Sequence, residues 1–346
     1  MTGHSLPVTR TVPRLKVESA RKLQIALGLI WLVDGALQLQ PFMFRRSFVT
    51  QIIAPNELNQ PRLIAAPIGF MAHLIEPRVA WFNVLAVTIQ VLIGLGLIYR
   101  PTVKAALLTS FGWALSVWWF GEGLGGLLTG HASPLTGAPG AALLYVVAGL
   151  IAWPRYDART GAAAAGGILG ERGACVAWVF LWLGSSALWL TPANRSDTSV
   201  HDAIATAPAG ARWLASIQAT VAAATTGRGL AIALGAAVLS AAVGFAVLLG
   251  RGARLVLALS AVIGLVYFVV GQGMGGVLTG SGTDPGTAPL LVLLAFAIYP
   301  LHRSGQLRGG RRRKSEQAPA PGQVSFALEN TGTGTVSGAG VPSGRA

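Results

Sequence analysis

The chain has 346 residues, of which 53% are hydrophobic and only 11% are charged, and its formal net charge is +14. Soluble proteins carry about 25% charged residues, so this composition excludes an ordinary soluble domain and indicates an integral membrane protein. The basic residues lie in loops and tails between apolar segments, which indicates membrane orientation and argues against binding to nucleic acid.

Eight apolar segments follow one another along the chain, and each approaches the roughly 20 residues that a transmembrane helix needs. They predict an all-α integral membrane protein with eight transmembrane helices. The fourth and eighth segments are shorter than the others. The segments cover residues 23–41, 79–99, 104–120, 139–154, 173–190, 228–249, 253–271 and 286–300.

The two halves of the chain repeat each other. The glycine-rich decamer GEGLGGLLTG at 121–130 returns as GQGMGGVLTG at 271–280, and WLVDGALQLQP at 31–41 aligns with WLGSSALWLTP at 182–192. A constant offset through helices and a loop indicates duplication, and four segments per copy predict two parallel four-helix repeats. Between the first two segments of each copy, 62–75 and 211–224 have the spacing of short interfacial helices, with irregular loops as the alternative.

The distribution of Lys and Arg predicts the orientation. The side that holds both termini receives 19 of the 26 basic residues, and basic loops mark the cytoplasmic side. We therefore expect a multi-pass protein of the bacterial inner membrane, with both termini cytoplasmic and both decamers outside. The predicted parts are an N-terminal cytoplasmic segment 1–22, a first membrane unit 23–154, a cytoplasmic linker 155–172, a second membrane unit 173–300 and a tail 301–346.

Asp34 is an ionisable residue inside the first predicted span, where such groups commonly mark functional sites. Gln38 lies one helical turn further out, and Glu122 opens the first decamer near the outer membrane boundary. The second copy has Ser185 in place of Asp34 and Gln272 in place of Glu122. We predict a ligand or proton site at Asp34, Gln38, Glu122 and Gln272, with its titratable groups in the first copy. The alternative is that these residues only hydrogen-bond helices together.

The decamer glycines are expected to let backbones approach closely and to line a concavity. They are Gly121, Gly123, Gly125 and Gly126 in the first copy, and Gly271, Gly273, Gly275 and Gly276 in the second.

No metal site is predicted, because His73, His131 and His201 match no ligand spacing. Trp31 and Trp182 are equivalent in the two copies and are expected to pack between helices; a planar ligand such as a quinone is the alternative.

The segment after residue 300 departs from the apolar pattern. Arg311, Arg312, Arg313 and Lys314 form a basic run that is expected to contact anionic lipid headgroups. The remainder is rich in Gly, Pro, Ser and Thr and is predicted to be disordered.

The first copy resembles the DoxX/DoxD-like membrane proteins, which include the small subunit of thiosulfate:quinone oxidoreductase. The resemblance rests on LGLIWLVDGALQLQPF at 27–42 and LIGLGLIYRPTVKAALLTSFGWAL at 92–115, and it covers about residues 23–154. It implies a four-helix membrane bundle and places Asp34 near a charged position of the family's first span. The long external insert and the tandem duplication depart from a single-copy member.

Together, these features predict a membrane partner in a redox or cell-envelope process, with an outward-facing polar cleft. The alternatives are a small-solute or proton-coupled transporter, and a structural scaffold without catalysis. The residues identify neither a reaction nor a partner protein.

Overall fold

The computed structural model describes residues 14–154, 156–157, 162–163, 166–248 and 253–298. Within these ranges the chain is helical, apart from a two-residue antiparallel ladder that pairs β1 (Tyr156–Asp157) with β2 (Ala162–Ala163). The all-α prediction is therefore confirmed for the described residues. The basic run at 311–314 and the tail predicted to be disordered lie outside them.

Each of the first four predicted apolar segments coincides with a helix. These helices are α1 (Arg14–Leu37), α4 (Val79–Ile98), α5 (Val103–Ser116) and α6 (Ala141–Ala152). Two shorter helices lie between the first and second of them, α2 (Arg46–Phe48) and α3 (Arg62–Ile75). The segment 62–75 is thus helical, as one of the two interpretations expected.

The second half has the same order of elements. The helices on its four predicted spans are α7 (Gly170–Trp189), α10 (Gly229–Ala246), α11 (Ala253–Val266) and α12 (Thr287–Ile298). Two further helices, α8 (Ser199–Ala205) and α9 (Arg212–Thr225), lie between α7 and α10. Residues 211–224 therefore fall almost entirely within a helix.

Small residues allow the first long helices of each half to pack closely. Helix α1 packs along α4, and a Cβ added at Gly28 would lie 2.8 Å from the carbonyl oxygen of Gly94. Helix α7 packs along α10, where a Cβ at Gly244 would lie 3.1 Å from the Cβ of Trp182. Close packing through glycine is typical of helices in membranes.

One hydrophobic core joins the two halves. It contains Leu27 and Leu144 from the first half together with Trp178 and Leu290 from the second, and all four are almost fully buried. The two sets of helices therefore support each other, and the loops at their ends are held side by side.

Two helical stretches are long and apolar enough to cross a membrane. They are the 37-residue stretch Arg62–Ile98 and the 18-residue helix Gly229–Ala246, with mean hydropathies of 2.0 and 2.1. A third appears if the bent pair Leu255–Gly271 and Gly273–Thr279 is one span. Helices α6 and α12, on the two shortest predicted spans, are apolar but short. The described chain thus has two or three helices that could cross a membrane, and eight spans remain a prediction.

Candidate functional site

The two glycine-rich decamers adopt the same backbone conformation. In each, the preceding helix ends in one turn of π-helix, Val117–Gly121 or Tyr267–Gly271. The chain then turns through left-handed residues: Leu124 has φ 56° and ψ 34°, and Met274 has φ 57° and ψ 36°. Non-glycine residues rarely adopt this conformation, so its presence at both equivalent positions indicates a defined turn.

Glu122 and Gln272 each bind the N-terminus of the next long helix. An Oε1 atom accepts a hydrogen bond from the backbone N–H of Ala142 at 3.0 Å in the first half, and from that of Thr287 at 3.1 Å in the second. The first N–H groups of a helix have no partner within the helix. The Glu-to-Gln difference therefore conserves a helix-capping acceptor.

Gly140 and Gly286 make this capping contact possible. A Cβ at Gly140 would overlap Oε2 of Glu122, and one at Gly286 would lie 2.6 Å from Oε1 of Gln272. Both glycines also have positive φ, of 105° and 79°. These residues lie outside the decamers, and the repeat pattern did not point to them.

Asp34 on α1 is paired with Tyr145 on α6. The Tyr145 hydroxyl donates a hydrogen bond to Oδ2 of Asp34, and the Asp34 side chain is only 2% exposed. The Tyr145 ring also lies against the indole of Trp31, with 4.3 Å between the ring centroids. The other carboxylate oxygen, Oδ1, has no hydrogen-bond partner among the described residues.

Asp284 is a third carboxylate of this region, and the sequence analysis did not identify it. It lies in the loop before α12, where it accepts hydrogen bonds from the Thr283 hydroxyl at 2.8 Å and from the Gly286 N–H at 2.7 Å. The expectation that only the first copy supplies titratable groups is therefore wrong. A signal was present, since Asp284 follows the second decamer in a Thr-Asp-Pro-Gly turn.

The loops that follow the two decamers are exchanged between the halves. Gln40 of the first half donates through Nε2 to the carbonyl oxygen of Gly282 in the second, at 3.1 Å. Conversely, Asn194 of the second half donates through Nδ2 to the carbonyl oxygen of Ala132 in the first, at 2.7 Å. Each half therefore binds the other half's loop, and this exchange carries Asp284 to the first half.

An aromatic cavity of about 290 Å³ lies in the first half. Aromatic rings supply much of its wall, namely those of Trp31, Phe48, Phe82, Trp113, Phe120 and Tyr145. Its polar lining residues include Asp34, Gln38, Gln90, Glu122 and Asp284. Five polar atoms of these lining residues are buried without a partner in the described chain: Nε1 of Trp31 and Trp113, Oε1 of Gln38 and Gln90, and Oδ1 of Asp34.

A polar cleft of about 510 Å³ lies between the two glycine-rich turns. Its polar lining includes Glu122, Gln272, Asp284, His131, Ser133 and Thr136, and its floor includes Gly125, Gly126, Gly271 and Gly275. Glu122 and Asp284 line both this cleft and the aromatic cavity. The two spaces therefore adjoin at a pair of carboxyl groups.

The predicted site residues are thus distributed over two spaces. Asp34 and Gln38 line the aromatic cavity together with Gly121, Gln272 lines the polar cleft, and Glu122 lines both. The remaining decamer glycines are buried inside the turns: Gly123, Gly273 and Gly276.

Burial changes the acid–base behaviour of the loop carboxyl groups. The pKa of Glu122 is raised to about 8, first by burial and then by the neighbouring Asp284, against hydrogen bonds from the N–H groups of Ala142 and Ala141. Burial also raises the pKa of Asp284, against its hydrogen bonds from Thr283 and Gly286. Glu122 therefore holds its proton at neutral pH and releases it as the pH rises through about 8.

Among the described residues, no group of three or more His, Cys, Asp or Glu side chains is placed to hold a metal ion. Comparisons of the chain with protein-family models, curated proteins and solved structures find no match.

Proposed function

We propose that the chain is an eight-span protein of the bacterial inner membrane, built from two like-oriented four-helix repeats of DoxX-like type. Three observations support this proposal. All eight apolar segments fall on helices, the two decamers share one backbone conformation, and 19 of the 26 basic residues lie on the side assigned to the cytoplasm.

Within this framework, the protein serves as a membrane partner in a redox process and binds a quinone-type headgroup in the aromatic cavity. The observation that carries the proposal is the set of polar atoms, unpartnered within the described chain, in a mostly apolar wall that is rich in aromatic rings. Buried polar groups are normally hydrogen-bonded, and each exception needs an explanation. A ligand in the cavity that offers both hydrogen-bond donors and acceptors would supply partners to such groups.

A quinone ring matches the chemistry of these atoms. The indole N–H groups of Trp31 and Trp113 are donors for the carbonyl oxygens of an oxidised ring, and Oδ1 of Asp34 is an acceptor for the hydroxyl of a reduced ring. The flat rings of Trp31 and Tyr145 offer a stacking surface. The volume of about 290 Å³ is close to the lower limit of ligand pockets.

Binding of a short-chain ubiquinone analogue to the full-length protein in lipid nanodiscs tests this proposal by calorimetric titration. We expect saturable binding that weakens about tenfold in Trp31→Phe, because the variant loses a buried donor and this is worth about 1–2 kcal/mol. Trp182→Phe is the matched control, since Trp182 is equivalent, buried and unpartnered but lines neither space. Equal affinity in both variants would reject the cavity as the quinone site.

The second candidate function is proton-coupled transport of a small solute. It is favoured by one specific observation, the lining of both spaces by Glu122 and Asp284. Asp34→Asn is then expected to abolish solute-driven proton movement in vesicles. Normal proton movement in Asp34→Asn would reject it, and normal growth and stability of both Asp34→Asn and Glu122→Gln cells would favour a scaffold.

A further inference from the structure

The polar cleft is lined by groups that can accept hydrogen bonds. Glu122 and Asp284 supply carboxylate oxygens, and Ser133 and Thr136 add hydroxyl groups. No Lys or Arg side chain lines the described cleft, and its only imidazole is that of His131. The carboxyl groups of the cleft therefore have no cationic partner in its walls.

Gln272 contributes a hydrogen-bond donor to the cleft, in addition to these acceptors. Its Oε1 atom is engaged by the N–H of Thr287, which directs the amide nitrogen away from that helix end. The side chain is 7% exposed and lines the cleft, yet Nε2 has no hydrogen-bond partner in the described chain. An amide N–H buried in this way needs an acceptor. The occupant of the cleft must therefore donate to carboxylates and accept from one amide.

Three classes of occupant fit this cleft poorly. A divalent metal needs several ligands together, and the described chain groups no three such side chains. A quaternary ammonium is recognised by aromatic faces, and no Phe, Tyr or Trp lines the described cleft. A neutral polyol brings no positive charge, so it cannot replace the proton of Glu122 when that carboxyl group ionises.

We propose that the polar cleft binds a small primary ammonium compound that also carries a hydrogen-bond acceptor, such as an amino alcohol. The ammonium group donates to Glu122 and Asp284, and the acceptor takes the amide N–H of Gln272. This site shares Glu122 and Asp284 with the aromatic cavity, but the proposal does not depend on a quinone being bound there.

Binding of the ammonium releases a proton. Near neutral pH the Glu122 carboxyl holds a proton because its pKa is about 8, and the groups that face it are Asp284, His131 and, through the aromatic cavity, Asp34 and Tyr145. When the ammonium arrives with one positive charge, the proton leaves Glu122 for the solvent, so the charge of the cleft is unchanged. The affinity must then rise as the pH approaches 8.

Titration of ethanolamine into the full-length protein in nanodiscs tests the proposal. We expect the dissociation constant to fall by up to about tenfold per pH unit between pH 6 and pH 8, as displacement of one proton requires. Titrations in two buffers with different ionisation enthalpies are expected to report release of about one proton. Ethylene glycol and choline are the comparison ligands, and neither is expected to bind.

Glu122→Gln removes the charge but is expected to keep the capping hydrogen bond, because Gln272 makes the equivalent hydrogen bond in the second half. This variant is expected to fold, to bind ethanolamine at least tenfold more weakly and to lose the pH dependence. Asp197→Asn is the matched control, since Asp197 is an exposed carboxylate outside the cleft. The proposal would be overturned by unchanged binding in Glu122→Gln or by equal binding of ethylene glycol. It would also be overturned if sodium chloride suppressed the binding relative to another salt at the same ionic strength.

Discussion

Glu122 and Gln272 hold the same place in two turns of the same shape, and each accepts a hydrogen bond from the first turn of the following long helix, at 3.0 and 3.1 Å. The carboxylate is therefore not needed for this contact, which an amide makes equally well. Because Glu122 also faces two cavities beside Asp284, its charge is free to serve another purpose.

Stability is expected to depend on pH through Glu122. The pKa of this group is about 8 in the folded protein against an ordinary value of 4.5, so the folded state holds the proton more tightly than the unfolded state. Its contribution is complete below pH 4.5 and is lost as the pH rises through about 8. Thermal unfolding between pH 6 and pH 9 measures this. The decline must be smaller in Glu122→Gln; equal declines would contradict the assigned pKa.

Removal of the capping acceptor is expected to cost more than removal of the charge. Glu122→Ala leaves the N–H of Ala142 without this partner, at a cost of about 1–3 kcal/mol in the free energy of unfolding. Gln272→Ala is expected to act similarly through the N–H of Thr287. Denaturant titration in mild detergent compares both with Glu122→Gln. A Glu122→Gln variant as unstable as Glu122→Ala would show that the charge itself holds the turn.

Gly125→Ala is expected to destabilise the glycine-rich turn. This residue has φ 63°, and a Cβ there would overlap the carbonyl group of Pro139. The left-handed backbone alone costs about 1–2 kcal/mol for an alanine, and the overlap adds to it, so Gly125→Ala should unfold at a lower temperature. Gly112→Ala is the control, because a Cβ at this helical position meets no atom within 4 Å; it should stabilise by roughly 0.5–1 kcal/mol.

Loss of the Tyr145 hydroxyl is expected to destabilise the first half. Tyr145→Phe leaves Oδ2 of the buried Asp34 without its hydrogen-bond partner, and an unsatisfied buried polar group costs about 1–3 kcal/mol. Tyr267→Phe is the comparison, because the Tyr267 hydroxyl accepts the indole N–H of Trp189, at 3.1 Å, and contacts no buried carboxyl group in the described chain. A double-mutant cycle with Asp34→Asn measures the coupling. Additive effects of the two substitutions would indicate that the pair does not interact in the membrane.

The orientation can be measured with single thiols. In a Cys175→Ser background, Thr136→Cys places an exposed thiol in the loop after the first decamer, and Thr102→Cys places one between α4 and α5. A membrane-impermeant maleimide is expected to label the first in intact cells and the second only after lysis. The reverse pattern would invert the assigned topology.

The positions of the helices could be predicted from the sequence, whereas the residues of the site could be predicted only in part. Runs of apolar residues predicted the positions of eight helices, because such runs are stable as helices in any apolar surrounding. Asp34 stood out because a charge in such a run is costly, and Glu122 and Gln272 stood out because they occupy the same position in the two glycine-rich decamers. Tyr145 and Gly140 did not, since a tyrosine and a glycine are ordinary in apolar helices and their importance lies in a partner far along the chain.

Asp284 shows most directly why part of the site could not be predicted from the sequence. Alignment of the two copies compared each acid with its counterpart, and Asp284 has no acidic counterpart in the first loop. Its proximity to Asp34 arises because the loop crosses to the other half, which Gln40 and Gly282 document. Periodicity and offset describe contacts within a copy. They carry no information about exchange between copies.

The crossed loops have a consequence for any shorter version of this protein. A polypeptide that ended after α6 would keep the acceptor surface around Gln40 but would lack Gly282 and its neighbours, while its own segment around Ala132 would have nowhere to bind. Neither half would therefore keep these loop contacts once it was separated from the other, so the two halves are expected to be stable only when they are present together.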